Sequence, residues 1–174
     1  MRKVVIVTET TGLNQALGDR IIELAAIEID DSGNTLNRLH RYFNPETGID
    51  PEASEIHGLT SAHVEEAIRF PAFAIGFAEF IRDAELIIHN APFDLEFLNA
   101  EFKNAGLSPV ESYCQKVIDT LFMARRQRPW EKNTLVSLCE RFEIEYSTRN
   151  EIGTMLDAEV LAEVYLQLVK HEIH

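Results

Sequence analysis

Val4-Val5-Ile6-Val7-Thr8-Glu9-Thr10-Thr11-Gly12 is the stretch from which the fold is read. Its first four residues are β-branched and apolar with no polar interruption, the pattern of a short strand buried on both faces. The run stops abruptly in a polar, turn-rich tail, so the strand ends at a loop. Ile21 to Asp30 fits strand or helix by pattern alone. The Asp31-Ser32-Gly33-Asn34 turn and the following Leu36 to Phe43 favour a hairpin. The chain therefore opens with three strands, the later ones antiparallel.

Further along, Thr60 caps a helix reaching about Glu66, with acids in its first turn. Pro71 precedes an apolar stretch, Ala72 to Ile81, whose Phe73, Phe77 and Phe80 share a helical face. Glu85 to Ile88 is a second buried strand, followed by a helix from about Phe93 to Ala105, closed by Gly106. Val117 to Thr120 reads as a last strand. Helices are expected at about Thr134 to Phe142 and Leu156 to Val169. This order predicts an α/β fold, a mixed sheet covered by helices, in a single domain spanning residues 1–174.

Composition sets limits on function. Apolar residues make up 45% and charged residues 26%, as expected of a globular chain. The net charge is −13, which excludes broad electrostatic attraction to nucleic acid. Contact with a polyanion would require a local exception, such as a divalent metal or a small basic patch. There is no 18-residue apolar run to span a membrane and no signal-peptide pattern at the start. The two cysteines, Cys114 and Cys139, do not make a disulfide framework, and a reduced, cytoplasmic setting is expected.

Most carboxylates, among them Glu65, Glu79, Asp83, Glu140 and Glu163, read as solvated surface. Three are placed differently. Glu9 directly follows a buried strand, Asp94 soon follows another, and Asp157 lies near the start of the last helix among apolar neighbours. Sites in open α/β sheets gather at the carboxyl ends of strands. Each carboxylate alone could be a helix cap; together they suggest a hard-oxygen site for Mg²⁺ or Mn²⁺.

Thr8-Glu9-Thr10-Thr11-Gly12, Ile56-His57-Gly58-Leu59-Thr60, Ile88-His89-Asn90-Ala91-Pro92-Phe93-Asp94 and the run from Leu156 to Leu166 closely resemble the motifs of the DEDDh exonucleases, the group that includes the proofreading epsilon subunit of bacterial DNA polymerase III. The resemblance covers Arg2 to Leu168 in order. It implies a ribonuclease-H-like mixed five-stranded sheet flanked by helices, and 3′–5′ hydrolysis of single-stranded DNA ends. Such enzymes use two Mg²⁺ or Mn²⁺ ions about 3.5–4 Å apart. It also implies metal ligation by Glu9, Asp94 and Asp157. Thr10, Thr11, Gly12, Ile56, His57, Asn90 and Phe93 would line the terminal nucleotides. Partners of the polymerase III alpha and theta-like kind follow from the same resemblance. Family members reach the polymerase through a tail beyond the nuclease domain; with the sequence ending at His174, such a tail is not expected in it.

The sequence departs from the family at two of five catalytic positions. Val7 stands where the family has the metal-bridging Asp, and Ile152 where it has the general-base His. Valine cannot ligate a metal and isoleucine cannot accept a proton. Hydrolysis is therefore expected to be impaired. The alternatives are a non-catalytic replisome subunit or 3′-end-binding module, and an active proofreading enzyme inactivated by substitution. Glu151, His57, His63 and His89 are candidates for compensation, whereas Tyr146 is off the position at which some family members carry a tyrosine base. Arg125-Arg126-Gln127-Arg128-Pro129-Trp130, with Lys132, is the one basic-aromatic cluster; it reads either as a phosphate contact or as a solvated loop.

Overall fold

The computed structural model describes residues 1–146 and 153–172. At its centre lies β1 (Lys3–Thr10), the strand predicted from the opening apolar run. It pairs antiparallel with β2 (Ile21–Ile29), which pairs antiparallel with β3 (Thr35–Tyr42). On its other side it pairs in parallel with β4 (Glu85–Ile88), which pairs in parallel with β5 (Lys116–Asp119). The order β3-β2-β1-β4-β5 makes the five-stranded mixed sheet that the resemblance implied. The outer strand β3 is largely exposed and carries Arg38 and Arg41, which discourage a further strand from pairing there.

The described helices are α1 (Pro51–His57), α2 (Ser61–Val64), α3 (Phe70–Phe80), α4 (Ala91–Asn104), α5 (Thr120–Gln127), α6 (Leu135–Arg141) and α7 (Gly153–Lys170). Two of these, α1 and α5, were not anticipated, and α7 begins three residues earlier than expected.

Alternation along β1 sorts the helices onto the two faces of the sheet. Val4 and Ile6 join a cluster built on Phe43, Phe70, Phe77 and Phe102, which seats α3 and α4. Val5 points the other way with Ala25 and Ile27, against Met155, Ala158, Leu161 and Tyr165 of α7. The small Ala25 and Ala158 let α7 lie close to the sheet. A third cluster, around Leu138, Val160 and Val164, binds α5 and α6 to the outside of α7. Such burial is the main stabilising term: truncating a fully buried ring such as Phe77 to alanine costs about 3–5 kcal/mol.

Parallel pairing of β1 with β4 stops at Val5 and Ile87, while β1 continues to Thr10. The strands part there, and the β4–α4 turn leaves the gap. That opening, at the carboxyl ends of the parallel strands, receives the residues of the site.

Candidate active site

Glu9 lies on the α7 side of the sheet, the same side as Val7 by strand alternation. Directly opposite it on β2 is Glu23, only 3% exposed. Glu23 accepts hydrogen bonds from Thr154 Oγ1 (2.8 Å) and pairs with His40 Nε2 (2.8 Å). The approach of α7 depends on Gly153, which has φ 65°, and a Cβ there would lie 3.2 Å from Glu23 Oε1. Asp157, one turn further along α7, interacts electrostatically with both Glu9 and Glu23.

Burial raises the Glu9 carboxyl to about 7, with repulsion from Asp157, Glu23 and Asp94 adding to it. Burial likewise raises Asp94 to about 7, partly offset by a hydrogen bond from Thr8 Oγ1 to Asp94 Oδ1 (2.6 Å). Asp157 is raised by burial against a lowering hydrogen bond from Tyr146. The Tyr146 hydroxyl donates to Asp157 Oδ1 and is itself pushed far up, first by burial and then by that bond. Tyr146 thus lies at the site despite its unexpected position, but as a donor that holds its proton and not as a base.

Glu9, which interacts electrostatically with both Asp94 and Asp157, is joined at the opening by Thr8, Glu23, Tyr146 and Thr154. Glu23 had a readable signal, as a lone acid inside the apolar run Ile21 to Ile27. Tyr146 had none, being eleven residues from its partner. Ile152 and Glu151 lie outside the described residues. His63 is engaged in the capping box of α2, and His89 Nδ1 is paired with Thr120 Oγ1 (2.9 Å).

The expected substrate residues fall into two groups. Thr10, Thr11 and Gly12 are buried and internally bonded: Thr10 Oγ1 donates to Gly12 O (2.6 Å), and Thr11 Oγ1 to Asp19 Oδ1 (2.9 Å). A bidentate pair from Arg20 to the buried Glu101 (2.6 and 2.8 Å) ties this loop to α4. His57 Nδ1 accepts from Leu59 N (3.1 Å), so its Nε2 carries the proton and donates to Thr10 O (3.1 Å). Phe93 packs on Phe97 at the edge of the core. By contrast, Ile56 is 82% exposed and Asn90 is exposed at the head of α4, both available for contact.

A pair of close metal ions needs a carboxylate that reaches both. Val7 is half-buried against the α7 cluster and offers none. One oxygen each of Asp94 and Asp157 is already taken by a hydroxyl. Among the described residues no group of three or more His, Cys, Asp or Glu is arranged to hold a metal ion. The described residues do not fit a two-metal centre.

A family model described as an exonuclease (RNase_T) matches residues 4–165. The DNA polymerase III subunit epsilon of Pasteurella multocida is 42% identical over 171 residues, covering 96% of this chain and 68% of that protein. Its Escherichia coli counterpart is 40% identical over 173 residues, covering 96% and 71%. Among solved structures, the zinc ion bound form of Escherichia coli exonuclease I with single-stranded DNA superposes with a TM-score of 0.82 at 23% identity, covering 97% of this chain and 40% of that one. The described helices include none long and apolar enough to cross a membrane.

Proposed function

The chain belongs to the exonuclease family, and on that premise we propose that it is an epsilon-like 3′–5′ exonuclease domain that engages single-stranded DNA 3′ ends with its hydrolytic step severely impaired. The observation that carries the impairment is Val7: an isopropyl group packed against the α7 cluster stands at the bridging position, while Asp94 and Asp157 each accept a hydroxyl proton. Glu9, Asp94 and Asp157 mark the reaction centre inherited from the family. Thr10, Thr11 and Gly12 shape the wall beside the terminal nucleotide, His57 fixes that wall through Thr10 O, and Ile56, Asn90 and Phe93 offer contact to the end bases. The ion that the family resemblance implies is Mg²⁺ or Mn²⁺, and partners of the polymerase III alpha and theta-like kind follow from the same resemblance.

Loss of a general base slows such reactions by about 10²–10⁴, and loss of a bridging ligand adds to it. A labelled single-stranded oligonucleotide with Mn²⁺ should therefore be trimmed by Val7→Asp/Ile152→His at least about 10⁴-fold faster than by the parent. Robust trimming by the parent, abolished by Asp94→Ala, contradicts the impaired reading. An inactive double variant would mean that the groove has diverged as well.

A further inference from the structure

Beside the β4–α4 turn opens a cleft of about 550 Å³ that is lined by none of Glu9, Asp94 and Asp157 and shares only Asn90 with the residues expected at the terminal nucleotide. Its walls are His89 and Asn90 on one side, Arg125 at the end of α5 on another, and Lys132 and Asn133 on a third. Asn133 is buried and makes the third wall rigid. Its Nδ2 donates to the carbonyls of Arg128 (3.1 Å) and Glu131 (2.9 Å), and its Oδ1 accepts from Arg141 Nη2 (2.9 Å). His89 is lodged between Thr120 and the Asn133 backbone, which joins the walls across the cleft.

The acids around the cleft are already matched. Glu131 is paired with Arg128 Nη1 (3.0 Å) and Arg141 Nε (3.1 Å). Asp119 Oδ1 accepts from the backbone N–H groups of Asn90, Leu121 and Phe122. Arg125 and Lys132, in contrast, are exposed and form no ion pair among the described residues. Asn90 sits in the left-handed region (φ 67°, ψ 54°), and its side-chain amide makes no hydrogen bond among them. Trp130 follows the lining Pro129 and is 91% exposed. Unpaired cations in a rigid cleft, with a bare aromatic beside them, are the parts that bind single strands without reading sequence.

We propose that this cleft binds the phosphodiester backbone of single-stranded nucleic acid, with Arg125 and Lys132 on phosphates and Trp130 stacked on a base. The inference rests on the reading that the domain engages single strands. It adds a place where the strand is held by side chains instead of metal, the local exception that a chain of charge −13 requires.

The test is fluorescence anisotropy with a labelled dT oligonucleotide in EDTA at about 50 mM salt. Arg125→Gln/Lys132→Gln is expected to weaken binding about tenfold or more, and Trp130→Ala about fivefold or more. Lys103→Gln, exposed at the far end of α4, should bind as the parent does. Parent-like affinity in the Arg125/Lys132 variant overturns the cleft and leaves strand engagement standing. Absence of any binding by the parent overturns both. Circular dichroism of each variant establishes that a loss is not unfolding.

Discussion

Glu9 and Asp94 carry carboxyls pushed up to about 7 by burial, and this has a direct consequence for stability. Between about pH 4.5 and pH 7 the folded chain holds protons on these groups that the unfolded chain has released. More protons bound in the folded state means that stability falls as pH rises through this window, and levels off above it. Glu9→Gln removes one of the two groups and keeps its shape. In EDTA the variant should exceed the parent by about 1 kcal/mol or less at pH 5 and by about 2–3.5 kcal/mol at pH 8, read from urea unfolding midpoints. An equal difference at both pH values would mean that Glu9 ionises freely in the folded protein. Val7 belongs to the same reasoning: a fourth carboxylate there would face Glu9, Glu23 and Asp157 with no cation between them, and valine avoids that repulsion.

At the scale of elements, β1, β4, α3 and α4 were legible because each has a periodic apolar face or an unbroken apolar run, whereas β2 fits strand or helix by its own pattern and only the Asp31–Asn34 turn after it favours a strand. Two helices were not. Pro51–His57 has a readable start, Asp50 followed by Pro51, but buries no residue and so shows no periodicity. The helix Thr120–Gln127 was hidden because Val117-Ile118-Asp119-Thr120 reads as continuous strand; only the cap, Asp119 accepting from Leu121 N (2.9 Å), marks the switch. Of the site, the three family carboxylates could be placed from their motifs, whereas Glu23, Thr154 and Tyr146 depend on how β2 and α7 meet. The β1–β2 connection allows a direct test of its rigidity. A Cβ at Gly12 would lie 2.4 Å from Asp19 Oδ2, and that carboxylate is held by Thr11 Oγ1 and Asn14 N (both 2.9 Å). Gly12→Ala should cost about 1–3 kcal/mol, whereas Gly48→Ala, with nothing near its Cβ, should stay within about 0.5 kcal/mol. Thermal unfolding of the pair checks this; equal midpoints would show that the Asp19 loop yields.

Over the whole molecule, a net charge of −13 and a cleft with two unpaired cations act on a polyanion at different ranges. The Debye length is about 30 Å at 0.01 M salt and about 8 Å at 0.15 M. At low salt the repulsive field of the chain therefore reaches well beyond its surface and slows encounter. At higher salt that field is screened, while the contacts inside the cleft are weakened less. Two phosphate contacts on a single strand correspond to a slope of only about −1.4 in log K against log salt. The association rate for a dT oligonucleotide in EDTA should accordingly rise from 10 to 150 mM salt in stopped-flow measurements, while dissociation quickens only modestly. A basic single-strand binder behaves in the opposite way, with association fastest at low salt. If association here instead falls steeply with added salt, the strand approaches a positive field larger than two side chains can make, and the cleft is not the principal contact.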